Sequence, residues 1–348
     1  MFVSIKVKKT SVLALLLVTV LIAAAAVLLP DALPAAAEPE KKDFIKWVDF
    51  DVPASLMKRA MEIDIETYDS PAHTSWVEIL AYLGAKYGGD FSKYKKSDLE
   101  SLLKKVENGE TIASIGKDMR YYDYYKEAYA AVLNGFVGEY EIETEAGWEK
   151  QYGLKAYSPI AKTFPYDDYD DFGASRTYGY DRKHLGHDMM AAVGTPVVAV
   201  ESGVVEVMGW NQYGGWRIGI RSFDGMRYHY YAHLRQNKPF AEGLTEGQTV
   251  MAGDVIGYVG RTGYSAEENT NNIETSHLHY GLQLIFDESQ KEGSNEIWID
   301  VYEICNLLRG NQTETVRNDV TKERTRVQNF REVIPEDCFT PSKDSGDS

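Results

Sequence analysis

Between about residue 176 and residue 287 the chain consists of short alternating runs that are rich in valine and separated by glycines. Segments such as "GTPVVAVESGVVEVMGW" and "EGQTVMAGDVIGYVGRTG" show the two-residue period of strands and contain few helix signals. The segment "GGWRIGIRSFDGMRYHYYAHL" has Asp224-Gly225 between two such runs, which is a strong hairpin signal. This part of the chain is therefore predicted to form an antiparallel β-sheet.

The segments on either side of this region have different patterns. Residues 38–140 carry apolar residues at helical spacing and predict a helical domain, whose role and protein partner the sequence leaves open. Residues 141–175 mix acids and tyrosines without a clear period and are interpreted as a connecting region. Residues 288–348 are interpreted as a C-terminal extension with one more helix in "IWIDVYEICNLLRG" and a disordered tail. The expected fold class is α+β, with a helical domain followed by an antiparallel sheet domain.

The N-terminus has the pattern of an export signal or a membrane anchor. Lys6, Lys8 and Lys9 precede an apolar run at residues 12–29, and an A-x-A site follows at residues 35–37. The run is just long enough to span a bilayer, so removal of residues 1–37 and retention as an anchor both remain open. In both cases the chain after residue 37 is expected outside the cytoplasm.

Charge and cysteine content limit the partners and the covalent chemistry. The formal net charge of −16 argues against nucleic acid as a partner, because a nucleic-acid surface would repel the chain. The two cysteines, Cys305 and Cys338, could form a disulfide in an extracytoplasmic protein, but the sequence does not decide whether they pair.

Histidines are concentrated in the sheet region, which contains six of the seven in the chain. Three places stand out: His184 and Asp188 in "RKHLGHDMM", His233 in "YHYYAHL", and His277 with His279 in "SHLHYGLQL". Residues two apart on a strand share a face, so the last two histidines are expected on one side of the sheet. Imidazole and carboxylate suit zinc, and a catalytic zinc site uses three protein ligands, which would leave two histidines to handle protons.

The same segments resemble the lysostaphin/LytM-type zinc endopeptidases, whose members include cell-wall hydrolases. The resemblance covers residues 176–287 and implies an antiparallel β fold around a groove. It places the zinc ligands on His184, Asp188 and His279, and the catalytic pair on His233 and His277.

The resemblance implies an extracytoplasmic zinc endopeptidase in a bacterial envelope that hydrolyses peptide bonds in peptidoglycan cross-links or stem peptides. Two alternatives remain. One is a non-catalytic envelope scaffold that uses the domain to bind a partner, and the other is a cell-wall zinc amidase or carboxypeptidase.

Two further residues are candidates for the substrate groove, and one loop departs from the family pattern. Tyr231 is expected on the same strand face as His233, and the hairpin register places Trp216 directly opposite His233. Ser265 and His277 are twelve positions apart, so the acidic loop between them is about eight residues longer than in the family. We expect its glutamates, which are Glu267, Glu268 and Glu274, to disfavour substrates with free carboxylates.

Overall fold

The computed structural model describes residues 44–177, 181–291, 293 and 295–341. The predicted signal or anchor at residues 1–37 lies outside these residues, and so does the end of the predicted tail. The described residues contain no helix that is both long and apolar enough to cross a membrane. The described residues from Ile45 onward form one compact unit.

The helices of the N-terminal region form where the sequence has apolar residues at helical spacing. They are α1 (Ala54–Thr67), α2 (Trp76–Tyr87), α3 (Lys96–Glu107), α4 (Ile112–Gly116) and α5 (Tyr122–Leu133), and α6 (Tyr302–Leu308) follows near the C-terminus. Helix α2 ends at Gly88, which adopts the left-handed conformation that glycine tolerates best. Helices α2 and α5 approach closely at Gly84, where a Cβ atom would lie 3.0 Å from the Tyr125 ring.

Most of the other regular elements are strands. They are β1 (Val137–Thr144), β2 (Gly147–Leu154), β3 (Tyr166–Asp168), β4 (Ser175–Arg176), β5 (Arg182–Lys183), β6 (His187–Ala191), β7 (Pro196–Val198), β8 (Gly203–Asn211), β9 (Gly215–Ser222), β10 (Arg227–Ala232), β11 (Thr249–Val250), β12 (Val255–Tyr258), β13 (His277–Leu284), β14 (Ile297–Ile299), β15 (Thr315–Arg317), β16 (Arg324–Arg326) and β17 (Phe330–Arg331). This succession of helices and then antiparallel strands confirms the predicted α+β class.

The main sheet of the described residues has the order β11-β8-β9-β10-β13-β6-β3, with β14 also paired to β13. Its pairings are antiparallel. Strands β9 and β10 pair in the register that the Asp224-Gly225 hairpin predicts, although residues 223–226 all belong to the connection between them. Three smaller pairs (β12-β7, β15-β16 and β4-β5) and a sheet β17-β1-β2 complete the strands.

Alternation along the strands gives the main sheet a core face and an open face. The core face carries fully buried side chains, which are those of Ile218, Ile220, Tyr231, Leu278, Tyr280 and Leu282. Residues at the intervening positions project from the other face, where they surround a cavity. The sheet is thus buried on one side by packing, and it presents the polar residues of β6, β9, β10 and β13 on the other side.

Two segments outside the sheet region differ from their predicted secondary structure. Residues 141–175, interpreted as a connection, contain most of the β1-β2 hairpin as well as β3. The predicted C-terminal helix begins only at Tyr302, because Ile297–Ile299 forms a strand on β13 with both isoleucines buried. The C-terminal extension therefore contributes strands to two sheets, since β17 pairs with β1.

Candidate metal centre and active site

Three predicted ligands converge at one point on the open face of the sheet. Nε2 of His184 lies 3.0 Å from Oδ1 of Asp188 and 3.0 Å from Nδ1 of His279. The Nδ1 atom of His279 is 2.8 Å from the same carboxylate oxygen. Two imidazole nitrogens and one carboxylate oxygen directed at a common point form a donor set that suits zinc.

Strand pairing brings two of these residues together. His279 on β13 is the direct partner of Asp188 on β6. His184 precedes β6, and its backbone N–H and carbonyl bond Ala174 and Gly173. His184 and Asp188 were expected on one extended segment, but the chain between them includes a bend at Gly186.

Gly186 is required by the position of His279. A Cβ atom at residue 186 would lie 2.5 Å from Cε1 and 2.6 Å from Nε2 of the His279 ring. Such distances are far below van der Waals contact, so any side chain here would displace the imidazole.

Carboxylates around the centre orient the ligands. Nδ1 of His184 donates to Oδ1 of Asp171 at 2.9 Å, which leaves Nε2 as the atom that can bind a metal. Arg176 bonds Asp171 and also lies 3.4 Å from Oδ2 of Asp188. Neither Asp171 nor Arg176 was identified from the sequence, because both lie in or beside the acidic segment that has no regular period.

The acid–base balance of the centre favours a charged Asp188. Burial raises the pKa of this carboxyl, but hydrogen bonds from His184 and His279 outweigh burial and hold it well below its usual range. Burial lowers the pKa of His184, but the hydrogen bond and the charge of Asp188 outweigh it and raise the pKa overall. For His279 burial prevails, and its pKa falls.

The two predicted catalytic histidines lie next to each other and to the centre. The ring centroids of His233 and His277 are 4.8 Å apart, and Nε2 of His277 is 3.8 Å from Oδ1 of Asp188. Nδ1 of His233 bonds the carbonyl oxygen of Thr262 at 2.9 Å, and Nδ1 of His277 bonds that of Thr275 at 2.8 Å. Because a carbonyl can only accept, each ring carries its proton on Nδ1 and has Nε2 left for chemistry.

His233 reaches this position through an unusual backbone conformation. Its φ is 59°, in the left-handed region, and it follows directly after the regular strand β10. The conformation redirects its side chain from the core face to the open face, where it lines the cavity. Burial then keeps the pKa of His233 well below the usual value.

The two groove candidates, Tyr231 and Trp216, do not line the cavity. Tyr231 keeps the regular alternation and is fully buried in the core, with its hydroxyl bonded to the backbone N–H of Val200 at 2.9 Å. Trp216 also lies outside the cavity lining, where its ring packs against Trp210 and Phe240. His233 follows the last residue of β10, so its side chain does not share a face with those of Tyr231 and Trp216 as expected.

The other two histidines of the sheet region have acidic partners on the core side. His229 is fully buried between Glu201 and Tyr280, at 2.9 Å from each. Nε2 of His187 lies 2.9 Å from Oδ2 of Asp168. Cys305 and Cys338 are both free thiols.

The antiparallel sheet carries two histidines and an aspartate as converging donors, and two more histidines lie beside them. This arrangement is typical of metal-dependent hydrolases. Comparison with known families then identifies the segment: residues 182–292 match peptidase family M23. This match confirms the resemblance over that segment of the chain.

Individual relatives cover parts of the chain. Over 124 residues it is 44% identical to the L-Ala--D-Glu endopeptidase of Bacillus subtilis (strain 168), which is 36% of each protein. Over 98 residues it is 37% identical to lysostaphin of Staphylococcus simulans, which is 28% of this chain and 17% of that protein. The chain thus spans little more than a third of the length of the first curated relative and less of the second.

Among solved structures, one from Ruminococcus gnavus ATCC 29149 assigned as a glycyl-glycine endopeptidase lytM aligns with 76% of this chain and 99% of its own. The sequence identity is 24% and the TM-score is 0.47.

Proposed function

We propose that this chain is a zinc-dependent endopeptidase that hydrolyses peptide bonds in peptidoglycan cross-links or stem peptides. The observation that carries the proposal is the convergence of His184, Asp188 and His279 beside two further histidines whose Nδ1 atoms bond backbone carbonyls. The names of the related endopeptidases support the substrate class, and their action on the cell wall supports an extracytoplasmic location.

The donor set fits zinc in its chemistry and its surroundings. Each of the three ligands is buried or nearly so, and their donor atoms lie within 4.8 Å of one another. A zinc ion held there would supply a water of lowered pKa and a Lewis acid for the scissile carbonyl. Asp171 fixes the ring of His184, as carboxylates commonly do for zinc-binding histidines.

The chain's own contribution to the reaction comes from His233 and His277. In its neutral form each ring can accept a proton at Nε2, and once protonated it can donate from the same atom to an oxyanion or a leaving amine. The backbone carbonyls of Thr262 and Thr275 hold the two rings in orientation during this exchange. One histidine then serves as the base for the attacking water, while the other stabilises the tetrahedral intermediate.

The presence of both catalytic histidines distinguishes this proposal from a binding scaffold. A scaffold would need the fold but not a proton acceptor beside a metal-binding donor set. An amidase or carboxypeptidase would use the same chemistry on a different bond, and the products separate these cases.

The test combines metal analysis with an assay. We expect His184→Ala to lose zinc and hydrolysis together, because two ligands seldom hold a catalytic zinc. His73→Ala is the matched control, since His73 bonds Asp64 in the helical region, and it should keep both. Full zinc occupancy in purified His184→Ala would contradict the assignment of the centre.

A further inference from the structure

The cavity beside the metal centre has a cationic lining. It has a volume of about 360 Å³ and contains His184, Asp188, His233 and His279 at one part of its wall. The remaining wall includes five basic side chains, which are Arg176, Arg182, Lys183, Arg217 and Lys291. Among the described lining residues, Glu296 is the only carboxylate besides Asp188.

Among the described residues, three of these five basic side chains (Arg182, Lys183 and Arg217) form no ion pair, and the two arginines also have unpaired donors. Arg176 pairs with Asp171 and Asp188, and Lys291 pairs with Glu206. In the described part of the chain, the Nε atoms of Arg182 and Arg217 are buried and have no hydrogen-bond partner. Such orphaned donors are rare in native proteins. Both side chains line the cavity, so a carboxylate bound there would supply the counter-charge that their guanidinium groups lack.

The fold holds both arginines at the cavity wall. Arg217 lies on β9, two residues before Gly219 and on the same face as Tyr228 and Tyr230. Arg182 lies on β5, next to the metal-binding segment, with its guanidinium 5.2 Å from the Tyr213 ring and 4.9 Å from the Tyr264 ring. Aromatic faces beside a guanidinium restrict its plane while its N–H edges stay available for an acceptor.

We propose that Arg182 and Arg217 form a carboxylate-binding subsite that makes the enzyme select stem peptides with a free carboxylate close to the scissile bond. A guanidinium binds a carboxylate through two parallel hydrogen bonds, and two of them in one cavity suit a peptide rich in acidic groups. This inference rests on the proposed function, because it concerns the substrate of that same site. An all-glycine peptide has no side-chain carboxylate for the two arginines.

This subsite reverses the charge preference expected from the inserted loop. Glu267, Glu268 and Glu274 are exposed and do not line the cavity, so they are poorly placed to repel a carboxylate bound there. Among the described residues of the cavity wall, basic side chains outnumber carboxylates by five to two.

The test uses three synthetic substrates with the zinc-loaded full chain. One is a stem peptide with free carboxylates, the second is the same peptide with those carboxylates amidated, and the third is pentaglycine. We expect kcat/KM of the free acid to exceed that of the amidated peptide by about tenfold or more, because charge-assisted bonds are lost on amidation. Pentaglycine should be cleaved least efficiently.

The variants Arg217→Gln and Arg182→Gln should each reduce this preference through KM while zinc content stays unchanged. Arg235→Gln is the control, since it removes the same charge from a side chain that packs on Tyr258 outside the cavity. An unchanged preference in both cavity variants would overturn the subsite. So would equal cleavage of the free-acid and amidated peptides by the parent.

A binding measurement separates failure of the subsite from failure of the proposed function. Calorimetry with zinc-loaded His277→Ala compares the two stem peptides without turnover. Tighter binding of the free acid that is lost when Arg217→Gln is added supports the subsite. This holds even if the parent hydrolyses no peptide, because absence of hydrolysis would refute only the proposed function. Equal affinities for the two peptides would overturn the subsite whether or not hydrolysis occurs.

Discussion

Nδ1 of His233 and Nδ1 of His277 each donate a hydrogen bond to a backbone carbonyl oxygen. Nε2 is therefore the atom of each ring that can exchange a proton with the substrate or water. We expect His233→Ala and His277→Ala to lower kcat by about a hundredfold or more, the usual scale for a general acid or base. Both variants should retain zinc, because neither residue belongs to the converging donor set. Elemental analysis alongside single-turnover rates checks this, and a metal-free variant would show that a ligand had been taken for a proton carrier.

Gly186 lies so close to the His279 ring that there is no room for a side chain at this position. In Gly186→Ala the new methyl group must displace the imidazole, so we expect zinc affinity to fall by about tenfold or more, similar to the loss of an orienting partner. Competition with a chelator measures the change. Gly310→Ala is a suitable control because the nearest atom to its Cβ is 3.8 Å away, and equal affinities in the two variants would contradict the steric argument.

At the level of elements, a buried charge network joins the sheet to helix α5. Arg227 on β10 donates to both oxygens of Glu201, at 2.8 Å and 3.0 Å, and to the carbonyl of Ala131 on α5. Burial raises the pKa of Glu201, but the charge of Arg227 and the hydrogen bond from His229 outweigh burial and lower it to about 2. The network therefore needs Glu201 to be charged.

The depressed pKa of Glu201 predicts how stability changes with pH. A carboxyl with a lower pKa in the folded state contributes stability above its unfolded value of 4.5, and this contribution is lost as pH falls towards 2. We expect Glu201→Gln to cost about 3 kcal/mol at neutral pH, because it leaves Arg227 without its main counter-charge.

Urea unfolding at several pH values measures both effects. The difference between the parent and Glu201→Gln should shrink across the acidic window, while Glu242→Gln, at an exposed position, should match the parent throughout. A constant difference from pH 7 to pH 2.5 would show that ionisation of Glu201 does not contribute.

The regular elements were the predictable part of the fold and the site. Strand alternation places His277 and His279 on one face, and turn chemistry gives the register of β9 and β10. The position of His233 could not be derived, since it depends on one left-handed residue after the strand, a conformation that is uncommon for residues other than glycine. The position of Arg217 on the open face could have been predicted, because the register of β9 and β10 places it on the same face as Tyr228 and Tyr230.

At the scale of the whole molecule, the described residues from Ile45 onward form one compact unit that contains both the helical region and the sheet. Long-range bonds join its parts, since Gln290 donates to the carbonyl of Ile45 and Glu303 accepts from the N–H of Ala54. We expect a single cooperative transition when this unit unfolds, with coincident midpoints by far-UV and near-UV circular dichroism. Two separate transitions would instead favour an independent helical domain over residues 38–140.

The central claim is that the chain hydrolyses a peptide bond within peptidoglycan peptides by means of zinc and two histidines. The most direct measurement is mass spectrometry of defined muropeptides incubated with the zinc-loaded parent and with His277→Ala. The account predicts fragments from the parent that share a new α-amino terminus within the peptide, and no such fragments from His277→Ala. Release of the intact peptide from the sugar, loss of only a terminal residue, or equal fragmentation by the variant would contradict it.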